Sequence, residues 1–175
     1  MKIKDLKFKK FIASERIEKK VAALAKLLDK DYAGRSPVFL PILNGAFMFA
    51  SDLLKEVKIP CKVSFVKVSS YSGTGSTGQV KMLIGQDASL FGMDIIIVED
   101  IVDTGLTLQK VTEELKGLGA KSVEAITLLR KQPARDKNIE IKYVGFELGH
   151  EFILGYGLDY EGLGRNSRDI YKKVE

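Results

Sequence analysis

The chain of 175 residues holds a single cysteine, Cys61. No disulfide can form within it, and a metal site built from several thiolates is excluded. Nowhere do apolar residues continue for the ~20 positions that a membrane-spanning helix needs. The opening stretch, MKIKDLKFKKF, scatters lysines without an apolar centre and does not read as a secretory signal. Internal repeats, low-complexity tracts and Pro/Ser-rich linkers are missing too. Together these absences predict one domain over 1–175, cytoplasmic and without membrane association. Hydrophobic residues at 45% and charged residues at 29% are ordinary for a globular domain of this length.

The formal net charge of +5 is not spread evenly. Residues 1–20 hold eight Lys/Arg against three Asp/Glu, and the remaining 155 hold twenty of each. A basic start can touch RNA or can be a solvated amphipathic edge. With no basic stripe through the body of the chain, the second reading is preferred and nucleic acid is not expected as a partner.

Strand and helix patterns alternate from residue 14 onward. Ser14 reads as an N-cap with Glu15 and Glu18 after it. Ile17, Val21, Leu24 and Leu28 then make one apolar helical face, with Gly34 available to end it. PVFLPIL (37–43) reads as a buried strand, broken by Asn44-Gly45 before a helical stretch at 46–57. CKVSFVKV (61–68) reads as a second strand. SSYSGTGSTGQ (69–79) has three glycines and no apolar period and is expected to be mobile, with VKMLIG returning antiparallel. MDIIIVED is the continuous apolar run of a strand covered on both faces. A helix over 106–118, closed by Gly117 and Gly119, and strands at 122–129 and 141–148 complete the series. Such alternation predicts an α/β fold with a mainly parallel sheet and ligands at the carboxyl ends of its strands.

IIIVEDIVDTGLT (95–107) lies at such an end and poses a chemical puzzle. Thr104-Gly105-Leu106-Thr107 joins a strand to a helix, where free amides, the helix dipole and two hydroxyls make a cradle for phosphate. GxxxxGK[ST] is absent, so the cradle is not a Walker loop. Glu99 and Asp100 stand beside it, with Asp103 after them, and the first two would repel a phosphate. Carboxylates do accept hydrogen bonds from sugar hydroxyls and hold Mg²⁺ bridged to them. A phosphorylated ribose reconciles the two, with its phosphate on the turn and its hydroxyls on the acids. A receiver-like doubly wound domain also has an acid at a strand end and a lysine at a later one, which Lys131 would suit. It needs an acidic pair after its first strand, however, and this chain has Asn44-Gly45 there.

IIIVEDIVDTG resembles the phosphoribosyl-diphosphate motif of the type I phosphoribosyltransferases, in particular their hypoxanthine-guanine members. LNGAFMFASDL (43–53) resembles that family's pyrophosphate loop. SSYSGTGSTG (69–78) resembles its flexible catalytic loop, with the Ser-Tyr pair at Ser70-Tyr71. VGFEL with FILGYGLDY (144–160) resembles its purine-binding hood. Four motifs in the family's order span about 37–168. The resemblance implies the type I fold, with a small hood over about 144–168 joined by part of the N-terminus and a flexible β-hairpin loop. It also implies transfer of phosphoribose from 5-phosphoribosyl-1-diphosphate to hypoxanthine, and to guanine as well, with Mg²⁺ as cofactor and a homodimer or homotetramer as the assembly.

The residue roles that the resemblance implies are these. Asp103 is the general base for the purine's imidazole proton; helix capping is its alternative. Glu99 and Asp100 hold the ribose hydroxyls, directly or through Mg²⁺, and Thr104, Gly105, Leu106 and Thr107 bind the 5-phosphate. Leu43, Asn44, Gly45 and Arg165 meet the pyrophosphate. Lys131 donates to the purine's carbonyl oxygen, Phe152 stacks on the base, Ile153 reads its edge through the backbone, and Asp159 holds a second Mg²⁺ through water. His150, the only histidine, occupies a position that the family does not require. One departure is plain: the pyrophosphate loop commonly carries Lys or Arg after its leucine, and this chain has Asn44. The family's peptide bond there is often cis, which leaves the state of Leu43–Asn44 as a question for the structure. Rival readings are a nucleotide-sensing RNA-binding regulator on the same fold and a transferase for adenine or a pyrimidine.

Overall fold

The computed structural model describes residues 1–70, 80–84, 90–131 and 141–174. Among them the chain forms β1 (Lys2–Ile3), β2 (Leu6–Ile12), α1 (Ser14–Asp31), β3 (Val38–Leu43), α2 (Phe47–Glu56), β4 (Lys62–Val63), β5 (Val66–Ser70) and β6 (Val80–Ile84). There follow β7 (Asp94–Val102), α3 (Leu106–Gly117), β8 (Ser122–Lys131), β9 (Tyr143–Leu148), β10 (Ile153–Leu154) and β11 (Ile170–Lys173). The large sheet has the order β6-β5-β3-β7-β8-β9, with β4 also on β3. Its pairings are parallel except between β5 and β6, the antiparallel return expected for VKMLIG.

The aliphatic run of β7 is continuous because both faces of this sheet are covered. Side chains alternate along a strand, so Ile96 and Val98 enter one core with Phe39, Phe49, Leu53 and the apolar face of α1. Ile95 and Ile97 enter the other with Leu40, Leu108, Val111 and Leu115. All four β7 residues are completely buried. At about 1.5–3 kcal/mol for each fully buried aliphatic side chain, β7 anchors its own carboxyl end firmly, and that end carries the candidate site.

A second sheet, β1-β2-β11-β10, is antiparallel throughout and joins the start of the chain to its end. β2 follows from the alternation Leu6-Lys7-Phe8-Lys9. The expected hood differs in its bounds: Tyr143–Leu148 lies in the large sheet, and the small sheet takes up the chain only from Ile153.

Two local expectations are corrected. Ser14 is not an N-cap. Ala13 holds that position without a side-chain cap, and the Ser14 amide donates instead to Asp169 Oδ1 at 2.8 Å. A carboxylate from far along the chain takes the role that a local hydroxyl was expected to fill. CKVSFVKV is not one strand: β4 and β5 are separate pieces, both on β3. The Leu43–Asn44 peptide is cis. No helix among the described residues is long and apolar enough to cross a membrane. Tyr71 and residues 71–79, the greater part of the expected mobile loop, lie outside the described residues; Ser70 ends β5.

Candidate active site

The carboxyl ends of β3, β7 and β8 bring the sequence motifs together. Glu99 lines a pocket of about 120 Å³ with Ile101, Val102, Asp103, Thr104, Gly105, Thr107 and Leu108. By the same measure a single water needs only ~10–15 Å³. Gly105 is the N-cap of α3 in left-handed conformation (φ +84°), which glycine adopts freely. The first-turn amides of α3 have no acceptor within the helix and face this pocket with the positive end of its dipole. Thr104 Oγ1 accepts from the Leu106 amide at a long 3.4 Å, so neither threonine closes the cap in the way a helix stop would.

The acids at the strand end are not compensated. Glu99 Oε2 is buried without a hydrogen-bond partner. Thr127 stands opposite Glu99 in the β7–β8 register, yet its hydroxyl donates to the Leu129 carbonyl. Burial, and then the neighbouring Asp100, push the Glu99 carboxyl well above the usual carboxylate range. Asp100 is 7% exposed, and burial pushes its pKa up to about 6 against the opposing pull of backbone amides and Arg165. Its Oδ1 accepts from the Ile101 amide at 2.8 Å. Its Oδ2 lies where a side chain on Gly45 would begin, 1.9 Å from the Cβ position, so only glycine fits the turn there. Gly45 is thus packed directly onto Asp100.

The other predicted residues fall into two groups around this centre. Asp103, exposed in the turn after β7, pairs with Lys131 at the end of β8, Nζ to Oδ2 3.0 Å. Arg165 donates to the Gly157 carbonyl at 2.6 Å and pairs with Asp159 at 2.5 Å. Asp159 also accepts from the Gly162 amide at 2.7 Å. Gly157 in turn stands against the 43–45 turn, with its Cβ position 2.1 Å from the Gly45 carbonyl oxygen. Phe152 is exposed at 44%, against Phe8 at 6.2 Å between ring centroids and edge-on to Tyr160 at 5.8 Å. Ile153 is buried in β10. Phe8, Tyr156, Gly157 and Tyr160 were not singled out from the sequence, although the repeated glycines of GYG (155–157) signal a close approach.

Among the described residues no three acidic, histidine or cysteine side chains gather to hold a metal ion by themselves. Glu99 and Asp100 nonetheless suit a hard divalent cation, with oxygen donors, buried charge and an unpartnered Oε2. An ion there would take its further oxygens from a ligand and from water, a common way of binding Mg²⁺.

The phosphoribosyl transferase domain family matches residues 9–161. Hypoxanthine-guanine phosphoribosyltransferase of Staphylococcus aureus is 42% identical over 156 residues, 89% of this chain and 87% of that protein. The chain belongs to the hypoxanthine-guanine phosphoribosyltransferase family. A crystal structure of hypoxanthine phosphoribosyltransferase from S. aureus superimposes on this phosphoribosyltransferase fold with a TM-score of 0.88 at 41% identity, covering 97% of this chain and 92% of that one. The bifunctional protein TilS/HprT of Listeria monocytogenes is 42% identical over 159 residues, 90% of this chain. The chain spans only 24% of the length of that bifunctional relative. The mainly parallel sheet flanked by helices is therefore the type I phosphoribosyltransferase fold, as the four motifs implied.

Proposed function

We propose that the chain transfers the 5-phosphoribosyl group from 5-phosphoribosyl-1-diphosphate to hypoxanthine, and also to guanine, in purine salvage, giving the nucleotide and pyrophosphate. The observation that carries this reading is the uncompensated pair Glu99–Asp100 directly ahead of the open N-terminus of α3. Two buried carboxylates beside an anion cradle suit a ligand with hydroxyls at one end and phosphate at the other. Family membership and the order of the four motifs support the same substrate.

In this reading Thr104 to Thr107 hold the 5-phosphate through the α3 amides and the two hydroxyls. Glu99 and Asp100 would hold the ribose hydroxyls and one Mg²⁺, and Asp159 would hold a second through water. Bound Mg²⁺ would neutralise charge on the departing diphosphate. Leu43, Asn44 and Gly45, together with Arg165, receive that diphosphate. Asn44 supplies amide hydrogen bonds where the family commonly carries a charge. A purine ring nitrogen forms the new bond to the sugar's anomeric carbon as the bond to the diphosphate oxygen breaks, through an oxocarbenium-like state. Asp103 takes the imidazole proton, and Lys131, its partner at 3.0 Å, donates to the carbonyl oxygen of the base. Phe152 lies under the purine and the Ile153 backbone reads its edge. Ser70 and Tyr71 would help shield the reaction from water.

One domain over 1–175, with the small sheet as hood, a cytoplasmic location and a homodimer or homotetramer complete the proposal. The test is nucleotide formation from hypoxanthine, guanine, xanthine and adenine, each with phosphoribosyl diphosphate and Mg²⁺. Turnover of hypoxanthine with none of adenine is the expected result. Failure with every purine base would overturn the reading.

A further inference from the structure

Tyr156 is the one non-glycine of the segment 155–157, and all three residues have positive φ: +100° for Gly155, +50° for Tyr156 and +101° for Gly157. Glycine is the low-cost residue in this conformation and a bulky aromatic is uncommon there. Its side chain gives the position a use. The ring is buried at 4% exposure, and the hydroxyl donates to Asp52 Oδ2 at 2.6 Å. Asp52 belongs to α2, the helix that leads directly out of the 43–45 turn, and its other oxygen pairs with Lys55 at 2.6 Å. On the hood side the Tyr156 amide donates to the Ser167 carbonyl at 2.8 Å.

The next residue, Gly157, makes the close approach described above. Its Cβ position lies 2.1 Å from the Gly45 carbonyl oxygen, its amide donates to the Arg165 carbonyl at 2.9 Å, and its own carbonyl accepts from the Arg165 guanidinium at 2.6 Å. Gly45 in turn rests on Asp100. Two contacts therefore tie the hood segment to the unit formed by the 43–45 turn and α2. One is the backbone packing of Gly157 on Gly45. The other is the hydrogen bond from Tyr156 to Asp52. Tyr156 also packs in the core that holds Phe49 and Leu53 of α2, and the hydrogen bond adds direction to that packing.

We infer that Tyr156 and Asp52 are positioning residues for the diphosphate. Their hydrogen bond sets the spacing between the 43–45 turn and Arg165, the two groups that the proposed function assigns to the leaving group. The inference rests on that proposal and adds to it a pair that touches neither substrate. It also bears on Asn44. With no side-chain charge in the turn, affinity for diphosphate depends more on how well the backbone and Arg165 are placed.

The experiment measures KM for phosphoribosyl diphosphate and for hypoxanthine, kcat, and the calorimetric Kd of Mg²⁺–pyrophosphate, in wild type, Tyr156→Phe, Asp52→Ala and Asp52→Asn. Phenylalanine keeps the ring and loses the donor; asparagine keeps an acceptor oxygen for the tyrosine. A hydrogen bond to a charged group is worth enough to shift binding about tenfold. Tyr156→Phe and Asp52→Ala should each weaken both diphosphate measures by about that factor and leave KM for hypoxanthine within twofold. Asp52→Asn should restore most of the loss. Asp52 is partly exposed on its helix, so Asp52→Ala carries the test if Tyr156→Phe does not fold. Unchanged diphosphate binding in an active enzyme overturns the positioning role alone. So does a parallel rise of both KM values with a fall in thermal stability. A wild type that binds Mg²⁺–pyrophosphate without transferring phosphoribose to any purine overturns the functional reading instead.

Discussion

Strand β7 carries a buried aspartate near each end, and the two are treated in opposite ways. Asp94 at the amino end accepts from Ser122 Oγ at 2.7 Å and pairs with Lys121 at 3.3 Å and Arg35 at 3.8 Å. The Ser122 hydrogen bond, and then Lys121, hold its carboxyl below the usual range against desolvation. At the carboxyl end, Asp100 has a backbone amide and the distant pull of Arg165, and Glu99 keeps an oxygen with no partner at all. Burial pushes both of these carboxyls up. One strand, with the same aliphatic core between its ends, thus shows what fold and function each ask of an acid. A carboxylate that serves the fold has its partners within the chain. In the proposed function, Glu99 and Asp100 are buried without such partners because a ligand would supply them.

The largest effect should separate the ends by activity. Asp103→Asn keeps the shape of the turn and loses the proton acceptor, so single-turnover chemistry should fall by 10²–10⁴-fold, the usual worth of general-base catalysis. Binding of phosphoribosyl diphosphate should change little. Asp94→Asn, at the other end of the same strand, should stay within about twofold in turnover. If Asp103→Asn also stays within twofold, Asp103 is not the base.

Next in size is base selection. An ammonium has only donors, so Lys131 complements a carbonyl oxygen and opposes an exocyclic amine. Sites of this kind discriminate by roughly 10⁴–10⁵-fold. Lys131→Gln offers both a donor and an acceptor and should cut the hypoxanthine-to-adenine ratio of kcat/KM by at least ~10². A ratio that does not move would leave selection to the hood backbone around Ile153.

A glycine pair sharpens the comparison through packing. The Cβ of Gly45→Ala would sit 1.9 Å from Asp100 Oδ2 and must displace the turn, whereas the Cβ of Gly117→Ala in α3 meets nothing within 4 Å. Gly45→Ala should raise KM for phosphoribosyl diphosphate tenfold or more and lose about 1–3 kcal/mol of stability to overpacking. Gly117→Ala should leave KM unchanged and gain up to ~1 kcal/mol of helix stability. Initial rates and urea titration on the two proteins check both statements.

These contrasts also explain how much was legible beforehand. The sheet and the three helices follow from local periodicity, and the motif residues from Leu43 to Lys131 occupy strand ends because the aliphatic runs before them are unmistakable. What was missed depends on contacts distant in sequence. Asp169 caps α1 from the other end of the chain, a role that Ser14 promised locally. Phe8 lies under Phe152 only because β2 pairs with β11 and β11 with β10. Tyr156 reaches Asp52 across 104 residues. The motif also shows three acids within five residues without showing which are compensated. That depends on register: it sets Thr127 beside Glu99 and still sends the threonine's proton elsewhere.

The stability contrast between the two aspartates has opposite signs at the two ends. Asp94 has a lowered carboxyl, so its contribution is present above the unfolded value near 3.8 and is lost as pH falls through the folded one. Asp94→Ala should cost about 1–3 kcal/mol at pH 7. Asp100 has a raised carboxyl, so the folded state holds its proton more tightly between pH 3.8 and about 6, and stability falls as pH rises through that window. Above it the ionised acid is a full penalty, and Asp100→Asn should relieve about 1–3 kcal/mol of it.

The most direct measurement is the free energy of unfolding of wild type and Asp100→Asn at pH 7.5, first with chelator and no substrate, then with saturating phosphoribosyl diphosphate and Mg²⁺. Ligand that binds only the folded state adds stability that grows with the logarithm of its concentration over Kd, and the proposed function assigns the wild-type carboxylate to that ligand. The account predicts a crossing: Asp100→Asn is the more stable protein when free and the less stable one when loaded. If Asp100→Asn is less stable in both conditions, Asp100 serves the fold as Asp94 does, and the carboxyl end of β7 is not a site held open for phosphoribosyl diphosphate.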